Sequence, residues 1–370
     1  MVRGAKANRL FDVLARLGAA GAWLSAVLPG EGRAWPFAPV RVDKFLQGAL
    51  AGGTTNPMVG PVTSSLVVRQ VFPNAKEYRD VLEEALSGSL PTDEGGSRRA
   101  AQELLKNAEH GGVTVDLLFG AFLDNRLVGA ALGMETPGRA ALVLTPSRLT
   151  SAGLDGTAAA LRALTIAAWR KGLVFLESLT DPSALCLGDA LRLSGFRNIT
   201  QLLYLRRRLA NGIEMPAGPH DLGWVSHEEA GDELFARALE QTYVGSLDCP
   251  EVMGVRQTAD VLASHRAVGI FDPRRWWVAL CGGEPVGVLL LSRFREEKVS
   301  EVVYMGVAQP SRGTGVGNAL LAKASASANA DGVTSLALAV DRRNAPARRL
   351  YERWRFRLLA AREVWIATPT

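Results

Sequence analysis

Cysteine is scarce in this chain, with three residues, Cys186, Cys249 and Cys281, in 370. They are an odd number, widely separated and without a C-x-x-C pair, which excludes a disulfide framework and a thiolate metal centre. Histidine is nearly as rare. His110, His220, His227 and His265 fall outside any metal-ligand spacing, so no metal is expected. Long apolar runs are also missing: Leu17 to Gly30 is shorter than the roughly 18 residues a bilayer crossing needs, and it is diluted by Gly, Ala and Ser. No membrane span or membrane partner is expected, and the cysteine usage points to a reducing cytoplasm.

The chain has no charge excess spread along its length. Of the net +5, residues 1–60 hold seven basic side chains against three acidic ones, a local balance of +4. The body is therefore close to neutral and carries no nucleic-acid footprint. What is present, 48% hydrophobic and 21% charged residues, is the mixture of a globular protein, and the length suits about two domains.

Hydrophobic periodicity divides the body into two runs of the same order. Strand Leu66 to Val71 precedes helices at Ala75 to Leu86 and Ser97 to Ala108. Strands Asp116 to Phe122, Leu127 to Gly133 and Ala140 to Leu144 follow, then helix Thr157 to Lys171, strand Leu173 to Glu177, helix Ser183 to Leu193 and a strand through Phe196 to Leu205. The order restarts after a linker at 211–218: strand Leu222 to Val225, helices Glu229 to Tyr243 and Glu251 to His265, and strands Trp276 to Leu280, Val286 to Ser292 and Val299 to Ala308. Helix Gly315 to Ala330, strand Thr334 to Val340, helix Ala345 to Trp354 and strand Leu358 to Ile366 complete it. The hairpin Asp124-Asn125-Arg126-Leu127-Val128-Gly129 parallels Gly282-Gly283-Glu284-Pro285-Val286-Gly287. A repeat of this length means duplicated domains, not a solenoid. The division expected is a poorly ordered Ala/Gly-rich basic extension over 1–60, a first domain over 61–212 and a second over 217–370.

The segment that carries chemistry is Tyr304-Met305-Gly306-Val307-Ala308-Gln309-Pro310-Ser311-Arg312-Gly313-Thr314-Gly315-Val316-Gly317. A strand runs into a glycine-rich turn and then a helix, which leaves several backbone N–H groups unbonded and aimed one way, a setting suited to a phosphate. Arg312 adds a positive charge at the mouth. A tight turn with no ligand is the plain alternative. The run lacks the lysine of a P-loop and the acid of a dinucleotide fold.

Arg312, Gly315 and Gly317 match R-x-x-G-x-G, and Asn344-Ala345-Pro346-Ala347-Arg348-Arg349-Leu350-Tyr351 fits N-x-x-A-x-x-L-Y. In both motifs, and in the order of elements around them, the second half resembles the GNAT superfamily of N-acetyltransferases. The first half is similar only in its pattern of elements, and the tandem organisation is similar to that of mycothiol synthase-like two-domain GNAT proteins. The resemblance implies an α/β (α+β) class of two tandem GNAT folds, each a mixed, mainly antiparallel central sheet flanked by helices. It implies acetyl-CoA as co-substrate, held in a split between the fourth and fifth strands: Arg312, Gly313, Thr314, Gly315, Val316 and Gly317 on the diphosphate, Met305, Gly306 and Val307 along the pantetheine arm. Tyr351 takes the place of the family's general acid, against the alternative of a packing residue, and Glu301 that of the base, against a plain solvated strand-end acid. Alternation puts Glu301, Val303, Met305 and Val307 on one face. Asn344 reads first as a helix cap and second as a cofactor contact.

Acceptor choice in the family comes from the first two helices and their connecting loop, here Gln241 to Pro250, where Tyr243 and Asp248 can meet a cationic amine or belong to an ordinary loop. Cys249 reads as structural. Arg355 stands where the family often has glycine, which implies either a turn without positive φ or a strained arginine. The first half's matching turn, Pro146 to Gly156, lacks the motif and carries Asp155, so that half reads as degenerate, without cofactor and packed on the second half or shaping its acceptor cleft. The function expected is acetyl transfer to a primary amine of a small molecule, peptide or protein. A non-catalytic acyl-CoA sensor is the other class kept open, and an aminoacyl-tRNA-dependent transferase is disfavoured by the near-neutral body.

Overall fold

The computed structural model describes residues 40–41, 65–87, 115–146, 149, 151–209, 221–293 and 299–369. The helix expected at 97–108, the linker and nearly all of the extension lie outside these residues. Among those described, thirteen strands form one continuous sheet. In the first half they are β1 (Val40–Arg41), β2 (Leu66–Gln70), β3 (Leu117–Leu123), β4 (Arg126–Thr136), β5 (Ala140–Leu144), β6 (Phe175–Thr180) and β7 (Arg197–Arg208). In the second they are β8 (Gly223–Ser226), β9 (Trp276–Cys281), β10 (Glu284–Arg293), β11 (Val299–Val307), β12 (Ser335–Asp341) and β13 (Arg357–Ala367). The helices are α1 (Tyr78–Leu86), α2 (Ser151–Arg170), α3 (Leu185–Leu193), α4 (His227–Tyr243), α5 (Thr258–Arg266), α6 (Val316–Ala330) and α7 (Ala345–Arg353).

Local chemistry accounts for these elements. The corresponding antiparallel hairpins of the two halves, β3–β4 and β9–β10, turn on residue pairs with positive φ, Asp124 (48°) with Asn125 (64°) and Gly282 (58°) with Gly283 (85°), which suits a two-residue turn that keeps the strands' twist. Helix α4 opens on a capping box: the Glu229 N–H donates to the Ser226 hydroxyl while the Ser226 N–H donates to the Glu229 carboxylate at 2.7 Å. Two expected helices shift. The one expected from Glu251 is a single 3-10 turn, Pro250–Val252, followed by α5 from Thr258, because Pro250 and Gly254 break the run. The one expected from Thr157 starts six residues earlier, at Ser151, so Ser151 to Gly156 is helix and not a turn.

The mainly antiparallel sheets expected of the two halves are joined edge to edge into one, in the strand order β1-β2-β3-β4-β5-β6-β13-β7-β12-β11-β10-β9-β8. The last strand of each half lies between the other half's last two strands: β13 pairs with β6, β7 pairs with β12, and β7 and β13 pair with each other, all antiparallel. The cores follow the strands. Trp365 and Ala367 of β13 pack with Leu161 and Leu164 of α2, and Leu203 and Leu205 of β7 pack with the layer of α6 and α7. Helices α4 and α5 cover the opposite face of the second half through Phe235, Leu239 and Leu262.

Candidate active site

Strands β11 and β12 run parallel from Val299↔Ser335 to Val302↔Leu338, and there the pairing stops. Strand β11 continues to Val307 and β12 to Asp341, so the two diverge into a V. The cleft between them, about 420 Å³ counting its open mouth, is lined by Leu202, Asp248, Val302, Val303, Tyr304, Met305, Leu338, Ala339 and Tyr351.

The outer edge of β11 is left available to a ligand. The Ala308 N–H donates to the Val286 carbonyl at 3.0 Å. In an antiparallel ladder this gives Gly306 and Tyr304 the neighbouring bonds to β10 and turns the N–H groups of Met305 and Val307 toward the split. A one-residue bulge opposite Leu290 and Leu291 reverses the expected alternation. Val303 and Tyr304 both pack on the α4/α5 side, while Val302, Met305 and Val307 face α6 and α7. Glu301, one residue before Val302, therefore shares the α4/α5 side with Val303, on the face opposite Met305 and Val307. It is 6% exposed and paired in register with Ala337 and Ser292.

Beyond Val307 the glycine-rich turn ends at Gly315, the N-cap of α6 with φ 96°, a conformation that favours glycine. The next helical amides to find a partner are Asn318 and Ala319, both donating to the Gly315 carbonyl. Among the described residues the amides of 313 to 317 have no backbone acceptor, and a Cβ added at Gly313 would meet nothing within 4 Å. Five free donors on an unobstructed turn beside the split fit an anionic group of diphosphate size.

Arg312 does something different from what its place in the motif suggests. Its guanidinium donates to four carbonyls: Nε to Val307 (3.1 Å), Nη1 to Gly245 (2.7 Å), and Nη2 to Thr242 (3.0 Å) and Val244 (2.7 Å). Three of these belong to the C-terminal end of α4 and the start of the acceptor loop, where unbonded carbonyls and the helix dipole favour a cation.

Tyr351 stands on α7, a residue 5% exposed, against Phe356 and the α6 layer, and lines the split. Burial and the Asp248 carboxylate push its phenol well up, so it keeps its proton at neutral pH. Asn344 caps α7, its Oδ1 accepting from the Ala347 N–H at 3.2 Å, and it also hydrogen-bonds Asp248.

Sequence reasoning missed what holds the acceptor loop. Asp341, fully buried at the end of β12, accepts from the Thr200 hydroxyl (2.7 Å), the Cys249 N–H (3.0 Å), the Arg343 N–H (2.8 Å) and Arg343 Nη2 (2.8 Å). The Asp341 N–H donates to Asp248 at 2.8 Å, and Arg343 continues to Glu251 at 2.6 and 2.8 Å. Burial pushes the Asp248 carboxyl up to about 6, with the Asp341 charge adding to it and the hydrogen bonds from the Asp341 N–H and Asn344 opposing it. Cys249 is buried with its thiol pushed well up, which fits a structural role. Tyr243 packs edge-on to Tyr304, whose hydroxyl donates to Thr242 because the Thr242 proton goes to the Leu239 carbonyl. The signal for the network was available as Asp341-Arg342-Arg343-Asn344, a charged run directly after an apolar strand.

The model of the acetyltransferase (GNAT) family matches residues 237–356. The chain is 30% identical over 236 residues to a mycothiol acetyltransferase of Streptomyces griseus subsp. griseus, covering 60% of this chain and 69% of that one. With the mycothiol acetyltransferase of Streptomyces coelicolor it shares 29% over 234 residues, 60% of this chain and 68% of the relative. A solved GCN5-related N-acetyltransferase from Sphaerobacter thermophilus has a similar fold, with a TM-score of 0.55 at 18% identity over 82% of this chain and 95% of that one.

Proposed function

The chain belongs to the GNAT family of acetyltransferases, and from that premise we propose how its residues divide the work of moving an acetyl group to an amine. Acetyl-CoA, the family's co-substrate, supplies the acyl group as a thioester. The amides of 313 to 317 bind its diphosphate, and the outward N–H groups of Met305 and Val307 bind its amide-bearing arm. Tyr351 holds a proton on its phenolic oxygen in the split and serves as general acid there. Glu301, on the opposite face, draws a proton from the acceptor amine through a water. The acid and the base thus stand on the two sides of the sheet, with the split as the passage between them. Asn344 orients α7 and Asp248 and needs no cofactor contact to do so.

The acceptor proposed is a small-molecule amine, a reading supported by the mycothiol acetyltransferase relatives. The first half is proposed to bind no cofactor: Ser151 to Gly156 is helical where the second half has its glycine turn, and the helix lies tight on β4, a Cβ at Gly129 falling 2.2 Å from the Thr157 nitrogen. Three free cysteines accord with a cytoplasmic setting.

The observation that carries the proposal is the row of unbonded amides beside a split that also holds Tyr351. Calorimetric titration of the whole chain with coenzyme A is expected to show one site per chain, and an amine screen following thiol release to reveal turnover. Tyr351→Phe is expected to lower turnover about 10²-fold or more with coenzyme A affinity unchanged. Two equivalent sites, or no binding, would overturn the proposal.

A further inference from the structure

We propose that Arg312 is a positioning residue that couples the cofactor turn to the acceptor loop, and not a ligand of the cofactor's phosphates. The inference rests on the reading above that coenzyme A sits on 313–317. The guanidinium has five N–H donors, and four hydrogen bonds to carbonyls occupy all three of its nitrogens. Those carbonyls belong to two elements, Val307 at the end of β11 and Thr242, Val244 and Gly245 where α4 gives way to the acceptor loop. The free amides of the turn follow Arg312 directly in the chain, so a movement of the turn is passed to the guanidinium through one peptide unit.

The loop's far end is fixed in a matching way. Arg343, two residues beyond the end of β12, binds Glu251 and Asp341, and Asp341 accepts from the Cys249 N–H. Each arm of the V therefore sends an arginine to the same loop. The loop from Val244 to Glu251 is slung between the two strands whose separation admits the cofactor arm, and its position reports how far they stand apart. Arginine suits this task because its planar fork serves several acceptors at once, whereas lysine offers a single point charge.

Hydrogen exchange read by mass spectrometry on the full chain, with and without coenzyme A, tests the idea. In the wild type, coenzyme A is expected to slow exchange at 313–320 and also at 242–251, although the latter segment has no place in phosphate binding. In Arg312→Lys the protection at 313–320 is expected to remain, calorimetric affinity to stay within about threefold, and the response at 242–251 to vanish. Protection of the turn with no response of the loop in the wild type would overturn the coupling, whatever the variant does. A loss of affinity beyond about thirtyfold in Arg312→Lys, with the loop response retained, would make Arg312 a direct ligand and overturn it equally. Absence of protection at 313–320 in the wild type would instead remove the cofactor reading itself, and this inference with it.

Discussion

Replacing Asp341 by alanine tests whether the buried carboxylate at the end of β12 is what fixes the acceptor loop. The side chain is fully buried and accepts from the Thr200 hydroxyl, the amides of Cys249 and Arg343, and the Arg343 guanidinium. The variant strands the Thr200 hydroxyl and the Cys249 amide in a buried setting, and each such loss costs about 1–3 kcal/mol. The Arg343 side chain is 45% exposed and still holds Glu251, so its share is small. The sum is about 2–6 kcal/mol, a range that brackets the cost of breaking a buried charged pair from one side. Asp341→Asn keeps one acceptor oxygen and is expected to lose about half of that. Burial works to raise the Asp341 carboxyl, but hydrogen bonds from Arg343, Thr200 and the Arg343 and Cys249 amides outweigh it and hold the group below the usual range. A carboxyl depressed by folding stabilises fully above its unfolded pKa, about 4, and the contribution fades as pH falls through the folded value. Urea unfolding should therefore show the widest gap between wild type and Asp341→Ala near neutrality, closing below about pH 4. A neutral-pH gap under about 1 kcal/mol, no more than one ordinary hydrogen bond, would refute the assignment.

Arg355 adopts φ 59° between α7 and β13, at the place where Gly195 has φ 95° in the first half. Left-handed backbone costs a non-glycine residue about 1–2 kcal/mol and glycine gives back about half in unfolded-state entropy, so Arg355→Gly is expected to raise the melting temperature by about 1–3 °C, and a fall would contradict the strain. Residues 217–370 expressed alone lack β7, which leaves facing edges of β12 and β13 unpaired. Size-exclusion chromatography is expected to show aggregation or strand-exchanged dimers, and a folded, cooperative monomer would show that the exchange is dispensable.

What was legible in the sequence is what neighbours along the chain decide. Asp124-Asn125 and Gly282-Gly283 announced their hairpins because two consecutive positive φ values need such residues, and Asn344 announced its cap because an amide three residues on needs an acceptor. The Gly313 to Gly317 turn was legible for the same reason. Three features depended on distant residues and were not. The bulge at Val303 is a one-residue slip against β10, and it moved Met305 and Val307 to the face opposite Glu301. The exchange of β7 and β13 is a choice between equivalent partner strands, which the pattern within each strand does not encode. Arg312 was recognised by type and spacing, but its direction is set by carbonyls 67 to 70 residues earlier in the chain.

The exchange also ties a half proposed to bind no cofactor to the half proposed to bind one. Strand β7 supplies the outer neighbour of β12, and Thr200 on β7 completes the shell of Asp341. The β4–β5 connection supports α5: Arg139 pairs with Asp260 at 2.7 Å and the Ser264 hydroxyl donates to the Pro137 carbonyl at 2.8 Å. Arg256, two residues before α5, lies over the Phe175 ring of β6 at 4.8 Å and within reach of Glu177, a buried carboxyl that desolvation pushes up to about 7. Removing the first half would thus strip the strand that backs the β12 arm of the V, the wall beneath the acceptor loop and one ligand of its anchor together. Substitutions at Thr200, Phe175 or Arg139 should consequently disturb the acceptor side before the cofactor turn, which among the described residues draws none of its hydrogen bonds from the first half.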